Sequence, residues 1–347
     1  MTNKTKFKVL FLLVFSIVIV WRNYTIVIGQ QATTSKTVLV ALNKAGASLT
    51  IIDPKDMKTL GSVPVGEGPH EVVLSADGKT AFVANYGNQT PGSSLSVVDL
   101  EAKKEIRRVD LMPLLRPHGL QEVGGKIYFT SETNRLIGRY DPATNRVDWL
   151  MGTGQNATHM IVVTPDQKRI YTANIGSDSV TAFEVTPNPN NPWKMTHIAV
   201  GKQPEAIEIS PDGKEVWAGL NVEGAIDVID TATNKVKEKL NIGQRPYRIR
   251  FTPDGKKVLL TVIVLPTQQG QPVTGELVVL DAATRKELKR MKLDGAPFGV
   301  VTSKDSKTAF ITTVQSDGVQ KVDLEKFEVL GKATAGLAPD GIALGGM

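Results

Sequence analysis

The feature that most limits what this chain can become is a phrase repeated along it. Gly-x-x-Pro leads into an apolar strand, a turn such as Pro-Asp-Gly-Lys, a second apolar strand, a polar loop, and a third strand ending in an acid. The Pro landmarks are Pro69, Pro117, Pro204, Pro246, Pro297 and Pro339, with Thr158 in the vacant place, at spacings of 48, 41, 46, 42, 51 and 42. The strand-ending acids are Asp53, Asp99, Asp141, Glu184, Asp230, Asp281 and Asp323, at spacings of 46, 42, 43, 46, 51 and 42. Two independent sets of landmarks share a period of about 45 residues, the length of a four-stranded propeller blade. In the fifth unit, strands are expected at Glu205–Ser210, Glu215–Gly219, Ala225–Asp230 and Lys235–Asn241. Gly, Asp and Asn in the turns supply the positive φ that tight hairpins need.

The two ends complete each other. Thr37–Val65 reads as strands two to four of a blade, and Gly336–Gly345 as a first strand alone. The expected fold is all-β: a seven-bladed β-propeller, four antiparallel strands per blade, with the first blade closed by the C-terminal strand. Closure removes the exposed sheet edges. Residues 37–345 then form a single domain. None of the four Trp precedes Asp, so this is not the Trp-Asp form of the repeat.

Composition narrows the function classes. The chain has no Cys, which excludes disulfides, thiolate metal sites and a cysteine nucleophile. The net charge of +6 misleads, because Lys4, Lys6, Lys8 and Arg22 in residues 1–29 meet no Asp or Glu, which leaves +2 for the remainder. That balance argues against nucleic acid as a partner. Three lysines ahead of the twelve-residue apolar run Val9–Val20 read as an export signal. Residues 1–29 are expected to be a signal peptide, cut after Val27-Ile28-Gly29, or an N-terminal anchor; residues 30–36 are a short linker. The expected location is periplasmic or secreted, as a monomer with no membrane span in the mature chain.

Equivalent positions of a repeat form a ring. The residue after each Pro landmark begins the innermost strand at one mouth of the channel, and there stand His70, His118, His159, Glu205, Tyr247, Phe298 and Asp340. Three of the four His fall at this one place, in consecutive blades. Circular closure sets Asp340 beside His70, with Tyr247 and Phe298 as an apolar arc opposite. Imidazole and carboxylate together suit a divalent metal or acid/base work; the plainer reading is a solvated ring. A divalent metal on His70, His118 and His159 is the cofactor these residues suggest. The loops from strand two to strand three bring Asn85, Glu132, Asn174 and Asn221 to the same mouth, although a strand-end Asn can equally cap its own turn. His197 lies in a strand outside the ring and is read as structural. Leu265–Thr274 in blade six is read as a rim over the mouth, and Thr186–Trp193 in blade four as an insertion on the far side.

Phe82-Val83-Ala84-Asn85, Tyr171-Thr172-Ala173-Asn174, Val97-Val98-Asp99 and Ser210-Pro211-Asp212-Gly213-Lys214 give the chain its closest family likeness. It resembles the YVTN-repeat, YncE-like β-propellers across essentially the whole mature chain. Blade three, with Pro117-His118-Gly119-Leu120, Phe129-Thr130-Ser131-Glu132 and Ile137–Thr144, also resembles a repeat of the streptogramin (virginiamycin B) lyases. That likeness implies a base at His118 and a Mg²⁺-holding carboxylate at Glu132. The Glu that the lyases carry two places before the His is Arg116 here. Three functions follow as expectations. The first is binding of a small molecule or protein at the channel mouth. The second is a metal-dependent lactonase- or lyase-like enzyme using His70, His118, His159 and Glu132. The third is DNA binding, for which Arg245, Arg248 and Arg250 would supply a local patch.

Overall fold

The computed structural model describes residues 37–346; the signal-peptide or anchor reading of residues 1–29 and the linker at 30–36 fall outside the described residues. The described chain forms seven four-stranded antiparallel sheets, the blades of a β-propeller. The innermost strands are Pro339–Gly346 in blade one, then Pro69–Leu74, Pro117–Val123, Thr158–Val163, Pro204–Ile209, Arg245–Phe251 and Pro297–Thr302 in blades two to seven. Blade one takes its other strands from Thr37–Pro64, and the C-terminal strand pairs with Thr37–Asn43, Leu39 opposite Leu344 and Val40 opposite Ala343. Among the described residues no helix is long and apolar enough to cross a membrane.

The recurring residues each perform one local task. In the Ser-Pro-Asp-Gly-Lys turn, Ser210 Oγ donates to Asp212 Oδ1 at 2.7 Å and accepts from Glu215 N at 3.0 Å, while Gly213 takes φ of 71°. The strand-ending acids cap the next turn: Asp230 Oδ1 accepts from Ala232 N and Thr233 N, and Asp99, Asp281 and Asp323 do the same for theirs. The Gly of Gly-x-x-Pro is a close-approach position. Gly66 N donates to Asn85 Oδ1 at 3.1 Å and Gly336 N to Asn43 Oδ1 at 2.7 Å. A Cβ at either glycine would collide with that Asn at 2.3 and 2.7 Å.

Apolar faces of successive blades pack on one another. Val40, Leu42 and Leu49 of blade one meet Val72, Val83 and Val98 of blade two, and Trp217 of blade five lies edge-on to Phe251 of blade six at 5.2 Å. Each fully buried side chain of this kind contributes about 1.5–3 kcal/mol. One irregularity matters for function. In all seven blades the pairing of the innermost strand with its neighbour shifts register just after the Pro landmark, or after Thr158 in blade four. A bulge re-aims side chains, so here two consecutive positions, rather than one, reach the channel.

Candidate functional site

The innermost strands bring His70, His118 and His159 together. The rings of His118 and His159 are 3.8 Å apart, and those of His70 and His118 5.0 Å. All three are buried, and so is Asp340. Tyr247 and Phe298 form an edge-on pair at 4.3 Å.

A continuous polar path runs through the cluster. Tyr86 Oη in blade two donates to Glu132 Oε2 in blade three at 2.6 Å. Glu132 meets Nδ1 of His159 in blade four, whose Nε2 lies 3.1 Å from Glu205 Oε1 in blade five. Glu205 is 3.8 Å from the guanidinium of Arg248 in blade six. Arg248 donates to Glu71, which belongs to blade two, so the path returns to its starting blade across the channel. Arg248 is fully inside, with its guanidinium 4.6 Å from the Tyr247 ring centre. Sequence reasoning counted it in a surface patch with Arg245 and Arg250. That reading is corrected for Arg248, which is buried in the lumen, apart from the exposed Arg245 and from Arg250, which pairs with Glu208 at 2.7 Å.

The imidazoles differ in protonation. Burial alone would depress His159, but Glu205 and Glu132, one at each ring nitrogen, outweigh it and raise its pKa to about 9. His70 is lowered to about 4 by burial and then by Lys44. Burial also drives His118 well below its ordinary value, helped by the charges of its neighbours. Glu205 is held below the usual carboxylate range, burial being overcome by His159 and Arg248. Asp340 is pushed up by burial.

Not every expected site residue joins the cluster. Asn85 spends its side chain on Gly66 N, Ser94 and Ser96, and Asn174 on Thr158, Ser179 and Thr181. Both lie within their blades. The pairing explains this: Pro69 faces Asn85, Pro117 faces Ser131 and Thr158 faces Asn174. Glu132 is therefore equivalent to Tyr86, one residue further on, and a one-residue step turns a side chain to the opposite face. His197 sits exposed on the outermost strand of blade four, Nδ1 3.2 Å from Thr181 Oγ1. Residues that sequence reasoning missed are Tyr86, Glu71, Arg248 and Lys44, the last 3.6 Å from Asp340. Three threonines were missed as well. Thr130 accepts from Gly119 N at 2.9 Å and donates to the His159 carbonyl at 2.7 Å. Thr261 and Thr312 repeat this for Phe298 and Asp340.

One group has metal-ligand geometry. A ligand atom from each of His118, Glu132 and His159 lies within 4.8 Å of the others, and Nδ1 of His118 is buried with no hydrogen-bond partner among the described residues. His70 is outside that group; its Nδ1 donates to the Gly68 carbonyl at 2.7 Å. At the other end of the same strands a cavity of about 530 Å³, lined by Val72, Leu74, Phe251, Val301, Ile342 and Leu344 among others, shares no residue with the cluster.

Fold and cluster together define a seven-bladed β-propeller whose channel mouth is filled by buried imidazoles and carboxylates. The family model described as lactonase, 7-bladed β-propeller, matches residues 144–251, a stretch that contains His159, Glu205 and Arg248. Antigen Lp49 of Leptospira interrogans serogroup Icterohaemorrhagiae serovar copenhageni (strain Fiocruz L1-130) is 25% identical over 174 residues, 44% of this chain; the match spans only 37% of that relative. Among solved structures, Kuenenia stuttgartiensis hydrazine synthase superposes with a TM-score of 0.64 at 22% identity, over 79% of this chain and 88% of that one. A candidate 6-phosphogluconolactonase of Bacteroides fragilis NCTC 9343 gives 0.70 at 14% identity, over 90% and 99%. At these identities the structural likeness shows the fold alone.

Proposed function

We propose that the protein binds a small molecule at the mouth of its channel, around a divalent cation held by His118, Glu132 and His159. The observation that carries this is the grouping of ligand atoms from His118, Glu132 and His159 within 4.8 Å of one another, with a buried His118 Nδ1 that has no hydrogen-bond partner among the described residues. Leaving a buried polar atom unbonded costs about 1–3 kcal/mol, so such an atom marks a place where a partner belongs. Two imidazoles and one carboxylate suit Zn²⁺, Ni²⁺ or Co²⁺ better than the all-oxygen preferences of Mg²⁺ and Ca²⁺. Glu205 at Nε2 of His159, itself beside Arg248, is the outer carboxylate that orients a ligating imidazole. When bound, the cation would supply a Lewis acid toward a carbonyl, phosphate or water oxygen. Export of the protein, read from residues 1–29, would place this site outside the cytoplasm.

The test is calorimetry on the full chain after chelator treatment, titrated with Zn²⁺ and Ni²⁺. One site per chain is expected. His118→Ala should weaken it by about a hundredfold or more, given that even outer-shell changes cost 10–100-fold. His197→Ala should leave it unchanged. Absence of binding, or equal effects of the two substitutions, would remove the metal centre from the proposal.

Lactone hydrolysis is the second reading. It is favoured by the overlap of the lactonase family model with His159, Glu205 and Arg248. A panel of lactones offered to the metal-loaded protein, with His118→Ala as control, decides between binding and turnover.

A further inference from the structure

Four carboxylates enter the lumen, and one is treated differently from the rest. Glu71 is paired with Arg248; Glu132 with Tyr86 and His159; Glu205 with His159 and Arg248. Asp340 is 1% exposed, and neither of its oxygens has a hydrogen-bond partner among the described residues. Its one ion pair is with Lys44 Nζ at 3.6 Å, beyond hydrogen-bond reach. Lys44 follows the strand Thr37–Asn43 in the loop on the mouth side of blade one, and its side chain is 38% exposed. A cation anchored at the surface thus leans in over a buried carboxylate without bonding it.

The surroundings are those of a cation site. His70 in the adjacent blade donates Nδ1–H to Gly68, which leaves the Nε2 lone pair with no protein partner among the described residues. The charge of Lys44 reaches His70 as well as Asp340. Tyr247, whose phenol is pushed up by burial and then by Asp340, packs on Phe298 and supplies an aromatic wall. Aromatic faces attract cations. Two acceptors and an aromatic wall, with an ammonium from the chain itself already at the entrance, match the N–H donors of one ligand class.

We propose that Asp340 anchors a second ligand site in the lumen, specific for a primary ammonium group, and that Lys44 occupies its entrance until a ligand amine displaces it. The proposal rests on the reading that the mouth binds a small molecule, and it names the class of that molecule: a compact primary amine. On binding, the ligand ammonium donates to the Asp340 carboxylate and to Nε2 of His70, while the Lys44 side chain turns out to solvent. A tethered competitor acts at an effective concentration in the millimolar range, so the free protein should bind simple amines weakly.

The experiment is calorimetry of the full chain with methylammonium chloride, against potassium chloride and sodium acetate at matched ionic strength. Methylammonium is expected to bind in the millimolar range, potassium and acetate not at all. Lys44→Met should tighten methylammonium by about tenfold, and Asp340→Asn should abolish it. Lys44 lies at the surface, so its variant carries the test should Asp340→Asn fail to fold. Binding to Lys44→Met alone, with none to the wild type, would make Lys44 a permanent structural partner and overturn the proposal. Equal binding of potassium would overturn it in favour of a plain inorganic cation site. Retained binding in Asp340→Asn would place the amine elsewhere. His118→Ala separates the two proposals: it should abolish divalent-metal binding, whereas methylammonium binding should persist, with a change in affinity because the His118 ring lies 5.0 Å from that of His70.

Discussion

Two arcs of the channel mouth are built from the same repeat positions and reach opposite electrostatic states. In blades three to five, Glu132 stands beside His159, and His159 keeps its proton up to a pKa of about 9. In blades one and two, Lys44 holds the place equivalent to Glu132, next to His70, which refuses a proton down to about 4. Tyr86 takes the same place for His118, its ring 5.4 Å from that imidazole and edge-on to it. All three imidazoles are buried, so burial is not the difference. Burial lowers all three, Lys44 adds to it at His70, and only at His159 do two carboxylates, Glu205 and Glu132, reverse it.

The largest expected break of this contrast is at Arg248, which joins the arcs by pairing Glu71 on one side and Glu205 on the other. Arg248→Met keeps the volume and leaves two carboxylates short of a counter-charge. Removing one partner of a buried ion pair costs about 3–5 kcal/mol, to be read from denaturant unfolding. Adding Glu71→Gln should recover part of the loss, as a double-mutant cycle would show. A loss below about 1 kcal/mol would mean that the bridge across the channel does not couple the arcs.

The second prediction sharpens the comparison by pH. His159 has a raised pKa, so its contribution is fully present below its unfolded value of about 6.5 and is lost as pH rises through about 9. His70 has a lowered one: the unfolded chain takes up a proton the folded chain refuses, so stability falls as pH drops from about 6.5 toward 4. Each shift corresponds to about 3 kcal/mol. Imidazole nitrogen chemical shifts should show His159 doubly protonated and His70 neutral at pH 7.5. Glu132→Gln should lower the first pKa and Lys44→Met raise the second. If both histidines titrated near 6.5, the electrostatic contrast between the arcs would fail.

How much of this was legible beforehand follows from where the backbone is regular. The landmarks count blades because a repeat guarantees equivalence, and the ring from His70 to Asp340 came from that equivalence alone. The neighbouring position was not legible. Glu71 and Arg248 stand one place further along strands whose pairing shifts just after Pro69 and Pro246, and a simple alternation would have turned them into the blade. A trace of this was present in the sequence. Of the five matching residues elsewhere, two are Met160 and Ala206 and three are Gly119, Gly299 and Gly341, where a Cβ would strike the backbone carbonyl of His159, Asp340 or His70 at 2.3–2.6 Å. Small residues at one repeat position report the approach of the next strand. Glu132 was aligned with Asn85 and Asn174 for a related reason. Without the register, the loop residue and the strand-end residue beside it look alike, although one faces the lumen and the other the blade.

The smallest effect separates the arcs most cleanly. Thr130 and Thr312 make identical pairs of bonds, each accepting from a backbone N–H of its own blade and donating to the carbonyl of a channel residue in the next. Valine has the same shape and lacks the hydroxyl, so either substitution leaves a buried N–H and a buried carbonyl unbonded. Each should cost about 1–3 kcal/mol, and the two costs should agree closely because the geometry agrees. Their functional consequences should not agree. Thr130 holds the backbone of His159, so Thr130→Val should weaken the proposed divalent site by several-fold, as loss of a support behind a ligand does. Thr312 holds Asp340 and should leave metal affinity untouched while weakening methylammonium. The readouts are the two calorimetric titrations on both variants. Equal losses of metal in both would show that the threonines stiffen the whole ring, and that the arcs are one mechanical unit despite their opposite charge.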